Sequence, residues 1–103
     1  MNRDDGLRIA RQVKKVLHER GYPIRRVILF GSVANNQAHD GSDIDIAVVT
    51  NPFKQSQLEE GVDIHLASMD VDLRIETVTL HPEDFQRPFC TLAREIERTG
   101  ADV

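Results

Sequence analysis

Two short apolar runs constrain this chain more than any other feature. Val27-Ile28-Leu29-Phe30 contains no polar residue and stops at Gly31-Ser32; Ile44 to Val49 is almost as apolar and is closed by Asn51-Pro52. A strand with one wet face alternates apolar and polar side chains, whereas an unbroken run marks a strand covered on both faces. Such strands need helices above and below their sheet. Residues from about Asp4 to Arg20 read as the first: Asp4 and Asp5 suit its positive end, and Gly21 with Pro23 stops it. Leu7, Ile9, Ala10, Val13, Val16 and Leu17 form its apolar stripe, with Arg8, Arg11, Lys14 and Lys15 facing elsewhere.

The rest of the chain continues the pattern. The stretch from Ala34 to Gly41 reads as a helical turn and a loop. Residues 54–70 read as a helix whose apolar contribution is Leu58, Val62, Ile64, Leu66 and Met69. A third strand is expected from about Val71 to Leu80, rich in Val, Ile, Leu and Thr. Pro82-Glu83-Asp84-Phe85 reads as the first turn of a short helix, and Pro88 to Thr99 as a final helix closed by Gly100. The order helix, strand, strand, helix, strand, helix describes one α/β (α+β) domain, the size that 103 residues allow.

Charge narrows the class of partner. Lys and Arg number 13 against 17 Asp and Glu, a net charge of −4. Residues 1–40 hold eight basic against four acidic side chains, and residues 41–103 five against thirteen. A uniformly basic nucleic-acid binder does not look like this; an acidic half suits metal cations, and a basic half beside it helps to seat a polyanion. The single cysteine, Cys90, makes no internal disulfide and reads as a structural thiol at the apolar start of a helix. No run approaches the roughly 18 apolar residues of a membrane span, and the N-terminus is too charged for a signal peptide, so a cytoplasmic location is expected.

Chemistry concentrates where the first two strands end and begin. Asp43 and Asp45, two residues apart on a strand, point to one face. Carboxylates that close raise one another's pKa unless a cation lies between them, and an otherwise hydrophobic strand gives a solvated pair no reason to sit there. Aspartate oxygens are the hard ligands Mg²⁺ prefers. Gly31-Ser32 supplies the complement: the glycine lets the chain turn and a ligand approach, and the serine offers a hydroxyl and an N–H to phosphate. Ten residues separate Ser32 from Asp43. Together these groups describe a site for a metal-bound nucleoside triphosphate.

With these residues the chain resembles the polymerase-β-type nucleotidyltransferase superfamily, whose signature is Gly-Ser, ten residues, then Asp-x-Asp; Gly31-Ser32 and Asp43-Ile44-Asp45 match it. Length and layout resemble its minimal single-domain members over nearly the whole chain. The resemblance implies the nucleotidyltransferase fold, a small mixed sheet flanked by helices, in one minimal domain spanning residues 1–103. It also implies two-metal catalysis by Mg²⁺, with Asp43 and Asp45 as ligands, Gly31 and Ser32 at the β/γ-phosphates and Ser42 supporting the loop. A third carboxylate is expected on the next strand, completing one metal site and helping to deprotonate the nucleophile. Of Asp72 and Glu76 we choose Glu76, which lies within the β-rich Arg74-Ile75-Glu76-Thr77-Val78, where an unpaired acid is costly; Asp72 is expected at a wet strand edge. The competing readings are that Glu76 lies on an exposed strand face, or forms a simple ion pair with Arg74.

One departure stands out. Relatives often carry a basic residue and then glycine after the alanine, whereas Ala34 is followed here by Asn35-Asn36. Arg25, Arg26 or the basic face of the first helix are the places to seek a replacement cation. His39, His65 and His81 lack metal-ligand spacing and read as solvent-exposed. Phe53, Phe85 and Phe89 read as core or partner contacts, and Tyr22, the one tyrosine, offers no stacking surface for single-stranded nucleic acid.

The implied activity is Mg²⁺-dependent transfer of a nucleoside monophosphate, AMP from ATP, to a hydroxyl on a protein or an RNA end. The resemblance further implies a small helical partner of the HEPN type in a toxin–antitoxin pair. A domain with so little core gains from association, so a homo-oligomer is the other expectation, and at this size the isolated chain is not expected to hold a long nucleic acid. The alternative is a non-catalytic antitoxin or regulatory subunit that keeps the fold and binds a partner.

Overall fold

The computed structural model describes residues 1–38 and 42–103. Helix α1 (Arg3–Glu19) begins where the Asn2 side chain accepts the Asp5 N–H at 2.8 Å and the Asp5 carboxylate accepts the Asn2 N–H in return. Ile9, Ala10, Val13 and Leu17 of its stripe are buried, with Leu7 and Val16 at the margins. There follow β1 (Ile24–Phe30), the single helical turn α2 (Gly31–Ala34), β2 (Ile44–Thr50), α3 (Gln57–Met69) and β3 (Ile75–Leu80). A 3-10 turn (Pro82–Gln86), α4 (Thr91–Thr99) and the two-residue β4 (Ala101–Asp102) complete the chain.

The four strands form one mixed sheet in the order β3-β2-β1-β4. β1 runs antiparallel to β2 and β4, and β2 runs parallel to β3 through the α3 crossover. Val27, Leu29, Ile46 and Val48 point to the face covered by α1 and α3, and Ile28, Ala47, Val49 and Leu80 to the face covered by α4. Both faces are therefore apolar, and this double covering is why the strand sequences do not alternate. Arg26 ties the α4 side together: its guanidinium donates to Asp102 at 2.9 Å and to Glu97 at 2.9 Å, and it lies 5.1 Å from the centre of the Phe85 ring. Among the described residues, no helix is long and apolar enough to cross a membrane.

The structure corrects several local expectations. β3 begins at Ile75, not Val71, because Asp72 caps a turn: its carboxylate accepts both the Arg74 N–H and the Arg74 guanidinium, and the Ile75 N–H bonds back to Asp72 O. α3 buries only part of its expected apolar contribution. Ile64 is buried, with Glu60, Ala67 and Ser68, whereas Leu58, Val62 and Leu66 are exposed. α4 starts at Thr91 rather than Pro88, with Cys90 half-buried at its N-cap against the α4-side core. β4 is too short to leave a periodic trace in sequence, and Phe89 is 93% exposed.

Candidate active site

The site is built at one end of the sheet, where β1 ends and β2 and β3 begin. Asp45 stands opposite Phe30 on β1 and opposite Glu76 on β3. Directly opposite residues in a sheet share a face, so the Asp45 and Glu76 side chains lie side by side on adjoining strands. Asp43 has the same parity just before β2 and is exposed; Asp45 is half-buried and Glu76 exposed. Burial pushes the Asp45 carboxyl above the usual carboxylate range, and the charges of Glu76 and Asp43 push it further. Glu76 and Asp43 thus both act on Asp45, and among the described residues no cationic side chain offsets them.

Gly31 explains how close this packing is. Its φ is +75°, and a Cβ there would stand 2.2 Å from Asp45 Oδ2. Only glycine allows the turn at the end of β1 to run past the Asp45 carboxylate. The Ser32 hydroxyl has no hydrogen-bond partner among the described residues, and Ser42 is half-buried one residue ahead of Asp43.

Asn35 and Asn36 have defined roles. Asn36 takes a positive φ of 55°, the Gln37 N–H bonds to Ser32 O at 2.8 Å, and the Asn36 N–H bonds to Val33 O at 3.3 Å. This is a Schellman closure with asparagine in the left-handed position usually given to glycine. The Asn36 side chain also accepts the Arg3 N–H at the start of α1, and Asn35 donates to Gly31 O, both at 3.0 Å. The turn geometry is kept without glycine; the cation is not replaced at this position.

Other candidates separate cleanly. Arg74 pairs with Asp72 at 2.7 Å, so the expected alternative pair with Glu76 does not form, and the Arg74 guanidinium holds the Asp72 carboxyl below its ordinary range. The exposures of the two acids are the reverse of those expected: Glu76 is exposed, and the Asp72 side chain is largely covered. Arg26 is committed to Glu97 and Asp102 and is not a spare phosphate ligand, whereas Arg25 is exposed.

Mg²⁺ commonly takes one or two protein carboxylates and completes its shell with water and substrate phosphates. Among the described residues no group of three or more His, Cys, Asp or Glu side chains is placed to hold a metal ion between them. What the site offers Mg²⁺ is hard oxygen donors taken one or two at a time, Asp43 and Asp45 with Glu76 on the adjoining strand.

The sequence profile of the nucleotidyltransferase domain family matches residues 10–97. The chain belongs to the nucleotidyltransferase domain family. A crystal structure of a presumed nucleotidyltransferase from Sulfolobus solfataricus shares the fold, with a TM-score of 0.68 and 18% identity over 97% of this chain and 80% of that one. No curated protein matches the chain at a significant level. Family membership makes this nucleotidyltransferase domain a transferase, with nucleotidyl transfer as its general reaction.

Sequence reasoning missed a second polar cluster in this nucleotidyltransferase, at the far end of the sheet. Glu60 is fully buried and accepts the backbone N–H groups of Phe53 at 2.5 Å and Lys54 at 3.1 Å. His81 Nε2 meets the other Glu60 oxygen at 2.6 Å. Beside it, buried Asp84 accepts the His81 N–H and the Gln57 side chain. The solvent-exposed reading of the histidines is therefore corrected for His81, and for His65, whose ring bonds to the Thr77 hydroxyl at 3.3 Å; both are half-buried. His39 lies outside the described residues. A glutamate inside an amphipathic helix reads as a solvated face, so nothing local marked Glu60 as buried.

The carboxylate row makes a prediction of unusual sign. Asp45→Asn removes one member of a mutually repelling set, so the metal-free variant should melt higher than the wild type. Differential scanning calorimetry in chelator checks this; a lower melting temperature would mean that Asp45 is held by attractive contacts instead.

Proposed function

We propose that this domain transfers AMP from ATP to a hydroxyl group in a Mg²⁺-dependent reaction. The observation that carries the reading is the row of Asp43, Asp45 and Glu76 facing the Gly31-Ser32 turn. Asp43 and Asp45 would hold the metal ions, with Glu76 as the further carboxylate on the adjoining strand. Mg²⁺, when bound, would supply charge neutralisation along the triphosphate and lower the pKa of the attacking hydroxyl. Gly31 offers its N–H, and Ser32 its N–H and hydroxyl, to the β- and γ-phosphates; Ser42 steadies the approach to Asp43. Glu76, exposed on the outermost strand, is within reach of an incoming acceptor and takes its proton. The acceptor oxygen bonds to the α-phosphorus, the bond to the bridging oxygen breaks, and pyrophosphate leaves.

The acceptor class follows from what surrounds the site. Asp43 and Glu76 are exposed, so the carboxylate row is open to a side chain or an RNA end. A protein acceptor on a small helical partner of the HEPN type, with this chain as the cytoplasmic antitoxin, is the pairing to test. The retained turn geometry at Asn36 supports a working phosphate loop over a decayed one.

Calorimetric titration of ATP, with and without Mg²⁺, into the wild type and Asp43→Asn/Asp45→Asn tests the site. The expected result is Mg²⁺-dependent binding by the wild type alone. Equal binding by the variant, or none by either protein at millimolar ATP, removes the catalytic reading and leaves the partner-binding one.

A further inference from the structure

The surface formed by α3 and β3 is unlike the rest of this molecule. Leu58, Val62 and Leu66 recur every four residues along α3 and are 79%, 52% and 59% exposed. With Thr77 and Thr79 of β3 they border a groove of about 470 Å³. No Asp, Glu, Lys or Arg lines this groove among the described residues, although such residues make up 29% of the chain. Leu73, 78% exposed, lies just ahead of the same strand.

The strand itself is open. β3 is the outermost strand, paired on one side with β2. The Ile44 N–H bonds to Arg74 O, which in a parallel ladder directs the backbone of Glu76 and Val78 to β2 and that of Thr77 and Thr79 outward. Thr79 O is taken by the Gln57 side chain; among the described residues, no strand meets the other outward groups. Solitary edges are usually blunted by lysine, proline or a bulge. Ile75-Glu76-Thr77-Val78-Thr79-Leu80 contains neither lysine nor proline, and its one charge, Glu76, lies on the opposite face from α3.

We propose that the chain forms a two-fold dimer in which β3 pairs antiparallel with β3 of a second copy while the two α3 stripes meet. One symmetry operation satisfies both features. A two-fold axis perpendicular to the sheet makes the β3 strands antiparallel and keeps each face on its own side, so α3 meets α3 above the joined strands. A foreign strand would close the edge and leave the leucines wet; a foreign helix would do the reverse. Net charge of −4 on each copy opposes association, but no Asp, Glu, Lys or Arg lines the groove, so the surfaces that meet there bring no like charges together. The dimer contains one eight-stranded sheet, and its carboxylate faces stay open because Glu76 and Asp45 point away from α3.

Sedimentation equilibrium on the full chain over a concentration series tests this, with Leu58→Glu/Leu66→Glu and Thr77→Pro as variants. The wild type should approach twice the 11.7 kDa chain mass, and both variants should sediment as single chains with wild-type circular dichroism. Thr77→Pro removes an outward N–H and no bond to β2. If that variant unfolds, the glutamate pair decides alone, since both of its positions are exposed. Hydrogen exchange gives the second readout: the Thr77 and Thr79 amides should be protected in the wild type and exchange freely in the glutamate variant. A wild type that stays monomeric overturns the proposal, including one that binds only a helical protein. So does a dimer that persists in the glutamate variant.

Discussion

Gly31→Ala should cost this nucleotidyltransferase at least about 10²-fold in kcat/KM, because misplacing a reacting group by an ångström has an effect of that order. Two separate penalties fall on one methyl group. The φ of +75° disfavours alanine by roughly 1 kcal/mol. The new Cβ would also stand 2.2 Å from Asp45 Oδ2 and 3.1 Å from its Cγ, so Asp45 must leave its place beside Glu76.

Two controls separate the penalties. Gly21 has a similar φ of +84° with nothing within 4 Å of the place a methyl group would occupy, so Gly21→Ala should lose about 1 kcal/mol of stability and keep its activity. Gly31→Asn tolerates the left-handed backbone yet still carries a Cβ, so it should fold better than Gly31→Ala and remain as inactive. Steady-state kinetics and thermal melts on the three variants check this. Wild-type turnover in Gly31→Asn would show that backbone conformation, and not the contact with Asp45, is what glycine provides.

Glu60→Gln should destabilise the fold by about 2–4 kcal/mol, lowering the melting temperature by roughly 10 °C or more, without changing the chemistry of the folded protein. Glu60 is fully buried, and its two oxygens serve the Phe53 and Lys54 N–H groups on one side and His81 on the other. An amide offers one acceptor oxygen and turns an NH₂ group toward a donor. Burial by itself would push the Glu60 carboxyl up; the hydrogen bonds from Phe53, His81 and Lys54 outweigh it and hold it below its ordinary value.

The pH dependence follows from that sign. A carboxylate whose pKa is lowered by folding contributes stability above its unfolded pKa, near about 4.3, and loses it as pH falls through the lower folded value. Urea melts from pH 7 down to pH 3 should show the gap between wild type and Glu60→Gln narrowing only below about pH 4. A gap that stays constant across that range would mean Glu60 acts through packing and not through its charge.

Much of the active end of the molecule was legible from local sequence. The strand Ile24–Phe30, the turn at Gly31 and the strand beginning at Ile44 are marked by covalent spacing and unbroken hydrophobicity, and both signals act over a few residues. The position of Asp43 relative to Asp45 is likewise a property of one strand. Local signals failed where a polar residue was recruited by something distant. Sequence favoured Glu76 over Asp72 by its place within the strand, but it did not show the turn that ties Asp72 to Arg74 or the register that sets Glu76 opposite Asp45.

That register passes through the α3 crossover, so only the packing of α3 on the sheet sets it. The same packing turned Leu58, Val62 and Leu66 outward and buried Glu60 beside Ile64, a choice that hydrophobicity alone did not indicate. A buried carboxylate is tolerable only where donors converge on it, and those donors come from Phe53, Lys54 and His81, on segments flanking β2 and β3. By itself, then, the sequence determined the first two strands, the glycine turn at Gly31 and the spacing of Asp43 and Asp45, because neighbouring residues impose them. Tertiary structure decided which acid stands opposite Asp45, which face of α3 meets solvent and where the buried charge is satisfied, because those outcomes depend on donors and strands brought together only by folding.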